Sequence, residues 1–429
     1  MKYILITFLS LLTAQAFAQC NGASGAFRTN PDSSPGGFVA STATVSPNVF
    51  TDSTTEICDQ VIVNGVAKIL GTSKISGNAQ IYSNHPTDVT EIENSTVEGY
   101  AVIATSAKIK NGAEIKGNAS IGRYAQIIGD STVLGSGPLV TDNAQVLSLA
   151  QIKNKARIYG GAIVKDNAIV ENDAFVYDKA TVFQNARVSN NAKIYGRSQV
   201  SGYANVKGNA KVYGQAQVYD SAVVTGSSKV YGFSQVGWNS YVAGYAEISG
   251  HANIRLSVFS SDVGIVGYAK VYDQTNIYQA AYIGDNAVVN GNSTISGGRV
   301  YGNATLSNFA FVGVSGSVFG NAIVKELARI EAGSVSEDAQ VYGQAKLTAG
   351  TPSVSGAAQV FGNSIVQGTA MVYGNSQVYG LALIKGQVSQ GGQVYGNATV
   401  EATGGVGGDA RVHGTAVVTT FVGNGDISQ

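Results

Sequence analysis

Charged residues are scarce and evenly balanced in this sequence of 429 residues. They make up 13% of the chain, with 27 Lys and Arg against 27 Asp and Glu, whereas a soluble domain usually carries about twice that share. A dilute and balanced charge provides no attraction to nucleic acid or to an anionic bilayer. We therefore expect no nucleic-acid partner.

Long apolar runs are also missing, except at the N-terminus. There Lys2 precedes an apolar stretch from Tyr3 to Leu12, and Ala16-Phe17-Ala18 has the form of an A-x-A cleavage site. This pattern predicts a bacterial-type signal peptide at residues 1–18 and export to the periplasm, the cell surface or the medium. No later run is long enough to cross a membrane, so we expect no membrane span in the mature chain.

Cysteine occurs only twice, at Cys20 and Cys58. Two cysteines in an exported chain favour a disulfide between them. Such a bond would tie an N-terminal leader, residues 19–42, to the start of a regular region at residues 43–420. The remaining residues, 421–429, would form a C-terminal tail.

Small and branched residues recur with a period of six through this regular region. From Ala156 to Ala252 every sixth residue is Ala or Ser, and from Ile158 to Ile254 every sixth residue is Ile or Val. Seventeen consecutive hexapeptides follow this rule without exception, and the pattern extends with interruptions from about Ala43 to about Val418. Chance cannot produce such a run, so the period must reflect the fold.

Alternation around each aliphatic residue indicates a strand, and the Gly, Asn or Asp that follows favours a corner. Such strands are too short for a meander, but three of them can wind into one coil. Each strand would then pair in parallel with the strand eighteen residues further on. The sequence therefore predicts an all-β, single-stranded parallel β-helix with about 18 residues per coil and roughly 21 coils.

The repeated [Leu/Ile/Val]-x-x-x-[Ala/Ser]-x pattern resembles the hexapeptide-repeat superfamily of left-handed parallel β-helices, and residues 283–288, IGDNAV, match its common form closely. The resemblance covers most of the mature chain and implies a left-handed, triangular coil. The superfamily includes acyltransferases, γ-class carbonic anhydrases and non-catalytic solenoids, so the resemblance indicates the fold and leaves the function open. Its members commonly form trimers, and we expect either a trimer or end-to-end assembly.

One face of the predicted coil carries tyrosines eighteen residues apart, each directly after an inward aliphatic residue: Tyr159, Tyr177, Tyr195, Tyr213 and Tyr231. The residues two positions before these tyrosines are mostly basic: Arg157, Phe175, Lys193, Lys211 and Lys229. Stacked rings could simply stabilise the sheet. This is the simpler interpretation, and the alternative is that flat rings beside cations form a binding surface for a glycan or for another copy of the chain.

Histidine, on which the catalytic members of that superfamily rely, occurs only at His85, His251 and His413. About nine coils separate each from the next, so they cannot form one zinc site within a chain. His85 lies in a polar interruption with Asp88, Glu91 and Glu93, a group that is either a solvated loop or an acid/base cluster. We expect no metal and no cofactor.

Two functions are consistent with these features. The first is an exported structural or adhesive solenoid, without catalytic activity, that presents its Tyr/Lys face to a surface partner or another subunit. The alternative is a hexapeptide-repeat acyltransferase acting on an envelope polysaccharide.

Overall fold

The computed structural model describes residues 19–83, 87–104, 106–122, 124–129, 137–257 and 263–429. The fold is a parallel β-solenoid of about 21 turns with roughly 18 residues per turn, which confirms the predicted fold class. Handedness stays a prediction, and the predicted signal peptide lies outside the described residues. The chain divides into two compact units, residues 1–209 and 210–429, which are described separately.

Most repeats form a two-residue strand followed by a corner. In the repeat at 174–178, Ala174 and Val176 are fully buried, whereas Phe175 and Tyr177 between and after them are half-exposed. Asp178 then adopts a left-handed conformation with φ 59° and turns the chain. The side chains alternate because successive residues of a strand point to opposite faces. The predicted inward and outward positions are therefore confirmed.

Parallel pairing joins strands one coil apart. Arg157 pairs with Phe175, and Phe175 pairs with Lys193, each eighteen residues further on. Some coils are longer: Glu114 pairs with Leu139, and Glu247 pairs with Lys270. The sheet thus accommodates insertions at the corners while the strands keep their alignment.

Three faces enclose the interior of the first unit. The face that carries the tyrosines, here called its tyrosine face, consists of Gly25–Thr29, Pro35–Ala40, Glu56–Ile57, Lys74–Ile75, Thr96–Val97, Glu114–Ile115, Leu139–Val140, Arg157–Ile158, Phe175–Val176 and Lys193–Ile194. The second face consists of Thr44–Val45, Ile62–Asn64, Gln80–Tyr82, Val102–Ala104, Ser120–Ile121, Gln145–Val146, Ile163–Val164, Thr181–Val182 and Gln199–Val200. The third face consists of Phe50–Thr51, Ala67–Leu70, Thr90–Glu93, Lys108–Lys110, Gln126–Ile128, Gln151–Lys153, Ile169–Val170, Arg187–Val188 and Asn205–Val206.

The second unit has the same three-sided construction. Its tyrosine face consists of Lys211–Val212, Lys229–Val230, Glu247–Ile248, Lys270–Val271, Val288–Val289, Thr305–Leu306, Ile323–Val324, Gln340–Val341, Gln359–Val360, Gln377–Val378, Gln393–Val394, Arg411–His413 and Asp426–Ser428. Its second face consists of Gln217–Val218, Gln235–Trp238, Asn253–Leu256, Asn276–Gln279, Thr294–Ser296, Lys346–Gly350, Ile365–Gly368, Leu383–Ile384, Thr399–Val400 and Val417–Val418. Its third face consists of Val223–Val224, Tyr241–Val242, Gly264–Ile265, Tyr282–Ile283, Arg299–Val300, Ser353–Val354, Met371–Val372, Gln387–Val388, Gly405–Val406 and Phe421–Val422. Two long strands, Phe311–Val318 and Arg329–Val335, run around the corner and join the second face to the third.

Aliphatic residues fill the interior, and Ala or Ser occupies the crowded positions beside the corners. Serine is tolerated there because its buried hydroxyl donates to a carbonyl three residues earlier: Ser228 Oγ lies 2.7 Å from the Thr225 oxygen, and Ser234 Oγ lies 2.8 Å from the Tyr231 oxygen. A buried hydroxyl with a partner carries little penalty. This pairing explains why the sequence alternates freely between Ala and Ser at one position.

The N-terminal leader is held by the predicted disulfide. Cys20 and Cys58 are bonded, with their Cα atoms 5.4 Å apart, and both pack against Phe38 in a small buried cluster. Phe38 belongs to Pro35–Ala40, which pairs antiparallel with Gly25–Thr29 and parallel with Glu56–Ile57. The strand Gly25–Thr29 therefore lies at the outer edge of the tyrosine face of the first unit.

The residues predicted as a C-terminal tail, 421–429, contribute strands. Phe421–Val422 pairs in parallel with Gly405–Val406, and Asp426–Ser428 pairs in parallel with Arg411–His413. These pairings extend two faces of the second unit beyond the boundary expected at residue 420.

Replacing both cysteines with serine should destabilise the first coils. The bond closes a loop with a sequence separation of 38, and loops of that size typically contribute about 2–4 kcal/mol. Hydrogen exchange at Glu56–Ile57 should therefore accelerate in C20S/C58S, while exchange near Arg157–Ile158 should stay unchanged because each coil contacts only its neighbours. Equal exchange in the wild type and the double variant, or free thiols in the folded wild type, would contradict this expectation.

Candidate functional site

The predicted tyrosine column is present within each unit. In the first unit the rings of Tyr159, Tyr177 and Tyr195 are stacked, with centroids 4.9 Å apart and interplanar angles of 6° and 4°. In the second unit Tyr213 stacks on Tyr231 at 4.8 Å and 1°. These separations match the spacing of adjacent strands, about 4.8 Å, because each ring is carried at the same position of successive coils.

The cations of the first unit flank an aromatic ring. Arg157 Cζ lies 5.6 Å from the centroid of the Phe175 ring, and Lys193 Nζ lies 5.3 Å from the same centroid. Both distances are within the range of a cation–π interaction. Phe175, which interrupts the basic row in the sequence, is therefore the residue that holds its two cationic neighbours over the face.

The cations of the second unit are in different environments. Lys229 Nζ lies 2.6 Å from Glu247 Oε1, so its charge is neutralised by the next coil. Lys211 has no ion pair among the described residues. The predicted basic row is thus less basic at Lys229 than its sequence indicates. Glu247 lies eighteen residues after Lys229, and this spacing is the sequence signal that would have revealed the pair.

Burial within the stack changes the acidity of the phenols. Partial burial, reinforced by the neighbouring Tyr159 and Tyr195, raises the pKa of Tyr177 from 10.0 to about 12. Burial also raises the pKa of Tyr159, with Asp178 adding to the effect. Tyr159 and Tyr177 therefore present neutral phenols, which can donate and accept hydrogen bonds, across the physiological pH range.

A second aromatic column lies on the tyrosine face of the second unit, and the sequence analysis missed it. Its five rings stack with centroids 4.8–4.9 Å apart: Tyr342, Phe361, Tyr379, Tyr395 and His413. The strand pairings that carry it include Gln340 with Gln359 and Gln377 with Gln393, so the coils have unequal lengths and a fixed period of eighteen does not find the column. The recurring Val-Tyr-Gly and Val-Phe-Gly tripeptides are the signal that could have found it.

The aromatic rows of the second unit are interrupted by a small residue. In the coil after Tyr231, the same position of this face is occupied by Ser249. The space beside this small side chain forms an open groove of about 410 Å³. Tyr231 and Tyr272 line the groove together with Glu247, Lys270 and Asp273. The groove contains charges of both signs, so it does not extend the basic character of the column.

The histidines do not form a catalytic group among the described residues. His251 is exposed and stacks on Phe233, and His413 belongs to the second aromatic column, where its Nε2 lies 2.7 Å from Asp426 Oδ1. His85 lies outside the described residues.

Two of the three carboxylates predicted to accompany His85 form ion pairs elsewhere. Glu91 and Glu93 accept an ion pair from Lys110, at 3.1 Å and 3.2 Å. Lys108 Nζ also lies 3.9 Å from Glu91 Oε2, so two cations face these two carboxylates on the third face.

Metal-ligating side chains come together at one place in the described part of the chain, Cys20, Glu56 and Cys58. The two sulfur atoms are bonded to each other and offer no thiolate. Metal binding by cysteine requires the thiolate, so this group is a disulfide site with a neighbouring carboxylate.

The chain matches no protein-family model, and a search of the curated proteins returns no match. In the part of the chain that the structure describes, no helix has the length and apolar character that crossing a membrane would require.

The Tyr177→Phe variant should lose the latest step of the alkaline titration. A folded-state pKa near 12, raised from 10.0, means that this phenol stabilises the fold fully below pH 10.0 and that its contribution is lost as the pH rises through about 12. Phenylalanine keeps the stack and removes the ionising group. When the pH is raised, phenolate absorbance should show an ionisation at about pH 12 in the folded wild type and not in the variant. In denaturant, the same phenol of the wild type should ionise near pH 10, as an ordinary tyrosine does. Persistence of the step in the folded variant would contradict the assignment.

Proposed function

We propose that this protein is an exported, non-catalytic β-solenoid with a structural or adhesive role, which presents its Tyr/Lys faces to a surface partner or to another copy of the chain. The observation that carries the proposal is the stack of half-exposed rings on the tyrosine faces. Arg157 and Lys193 lie over the Phe175 ring of the first unit, and Lys211 is on the tyrosine face of the second unit. Stacked rings at a fixed spacing lose little conformational freedom when a partner binds, so a rigid row of this kind is a favourable contact surface.

The chemistry of the row favours a partner with flat or hydroxyl-rich groups. Tyrosine offers an apolar ring face and a phenol that donates and accepts hydrogen bonds, and nearby cations add attraction for acidic groups. A glycan surface and a second tyrosine face are the two partners with these properties. Repetition along the face adds avidity, because each further contact forms within an already tethered pair.

The location follows from the disulfide. The bond between Cys20 and Cys58 indicates an oxidising, extracellular environment. Residues 1–18 are proposed to direct export there as a cleaved signal peptide. Outside the cytoplasm the usual acyl-CoA donors are not expected, which favours a binding role over acyl transfer.

The alternative, an acyltransferase that uses His85 as its base, needs a loop inserted between coils. The coil that contains His85 pairs Lys74 with Thr96, 22 residues further on, so it exceeds the usual length by only a few residues. That short insertion offers little room for a substrate-binding arm. An acyl-transfer assay on envelope polysaccharide should compare the wild type with His85→Ala. Activity in the wild type that is lost in the variant would favour the acyltransferase over the binding role.

Replacing Tyr159, Tyr177 and Tyr195 with alanine should weaken self-association or surface binding by about tenfold or more, which corresponds to about 1.4 kcal/mol. Sedimentation velocity measures self-association, and retention on polysaccharide-coated beads measures surface binding. The matched triple Tyr→Phe variant keeps the stacked rings and should retain much of the binding if ring faces make the contact. Tyr203→Ala, at an exposed ring outside the columns, is the control. A wild-type protein that is a compact monomer and binds no surface would contradict the proposal.

A further inference from the structure

Four neighbouring strands on the second face of the second unit are longer than the usual two residues. Gln235–Trp238, Asn253–Leu256 and Asn276–Gln279 each have four residues, and Thr294–Ser296 has three. Trp238 is aligned with Leu256, and Leu256 with Gln279, so the extra residues form one widened patch.

Two adjoining grooves lie on this patch. The larger, about 700 Å³, is lined by Trp238, Arg255 and Tyr278 among others. The smaller, about 420 Å³, is lined by Phe233 and His251, whose rings are stacked. Asn253 and Asn276 line both grooves, so together these form one open cleft across the face with aromatic rings at either side.

Trp238 occupies a position that the fold does not require to be aromatic. It has φ 57°, in the left-handed region that bulky residues rarely adopt, at a corner where the preceding coil has Asp220. Half of its surface is exposed, at 51%, and it is the only tryptophan in the sequence. The left-handed conformation is the usual one at these corners, as at Asp178 and Asp220, and Asp, Asn or Gly would adopt it more readily than tryptophan. The exposed ring therefore serves neither the corner nor the core, which leaves it available to a ligand.

Two polar groups of the cleft lack a partner among the described residues. The Oδ1 atom of Asn253 is buried and has no hydrogen-bond partner in the described part of the chain. Rotation of this amide toward a ligand hydroxyl would therefore give the oxygen a partner without breaking a hydrogen bond that it already makes. Arg255 is exposed and has no ion pair among the described residues. Among the described residues, it is the one charged residue that lines the larger groove. An unpaired guanidinium beside aromatic rings suits a carboxylate, which it can bind with two parallel hydrogen bonds.

We propose that this cleft binds an oligosaccharide that carries carboxylate groups, with sugar faces on Trp238 and Tyr278 and a carboxylate on Arg255. Trp238 and Tyr278 are carried by strands two coils apart, about 10 Å, which leaves room for consecutive sugar rings. The cleft is open, as suits a chain ligand. A nucleic acid would require several phosphate contacts, and the described residues of the larger groove supply one cation. The inference is independent of the tyrosine faces, because the cleft lies on another side of the coil.

The only tryptophan of the chain lies in the cleft, so its fluorescence reports binding directly. Titration of the full mature protein with alginate oligosaccharides, in which every sugar carries a carboxylate, should change Trp238 emission saturably. Neutral cello-oligosaccharides of the same length should bind about tenfold more weakly or worse, and Arg255→Gln should remove this discrimination. Arg197→Gln, at an exposed arginine in the first unit, should behave as the wild type.

Calorimetry tests the aromatic contribution, since Trp238→Ala has no fluorescence signal. This variant should lose most of the alginate binding, whereas Phe309→Ala, at a comparably exposed ring outside the cleft, should retain it. The triple alanine variant of Tyr159, Tyr177 and Tyr195 should also retain it, which separates this site from the tyrosine column of the first unit. The inference is overturned by absent or unsaturable binding, by equal affinity for the neutral oligosaccharide, or by Arg255→Gln or a folded Trp238→Ala that binds as the wild type does.

Discussion

Hydrogen bonding between the backbones of successive coils is the constraint on which the surface of each unit depends. The Arg157 amide donates to the Ala174 oxygen at 2.9 Å, and the Tyr159 amide donates to the Val176 oxygen at 3.1 Å. Because the pairing is parallel, the same position of every coil lies one strand spacing from the next, about 4.8 Å. Side chains consequently form columns, and each side chain meets the residues at the same position of its neighbouring coils.

The contact that forms within a column depends on the residue type. Aromatic residues stack, as Tyr177 does on Tyr159. Asparagines at the corners form amide ladders, in which Asn154 Nδ2 donates to Asn172 Oδ1 at 2.8 Å. Opposite charges form ion pairs, as Lys229 does with Glu247. A column is therefore the unit of both stability and surface chemistry, and a binding surface can be built by repetition without a conventional pocket.

Departures from the regular coil create the sites that repetition cannot. The cleft around Trp238 occurs where strands lengthen to four residues, and the groove beside Ser249 occurs where a small residue interrupts the aromatic row. Both lie close to the long coil in which Glu247 pairs with Lys270. A corner can absorb extra residues without disturbing the parallel pairing, so insertion and substitution can diversify the surface while the aliphatic interior is preserved.

The coil, its buried aliphatic rows and the tyrosine rows at 159–195 and 213–231 were determined by the sequence alone. Ala174-Phe175-Val176-Tyr177 already shows which side chains point inward, because strand alternation and the corner after every sixth residue are local properties. The disulfide was equally predictable, since Cys20 had no partner other than Cys58.

Only the tertiary structure decided which side chains become neighbours once the coil length changes. The alignment of Tyr342 with Phe361, and of Tyr379 with Tyr395, depends on coils of unequal length. The juxtaposition of Trp238 with Arg255 and Tyr278 depends on strands that lengthen together. A fixed period cannot supply such alignments, because each insertion shifts the sequence spacing while backbone hydrogen bonds keep the strands in register.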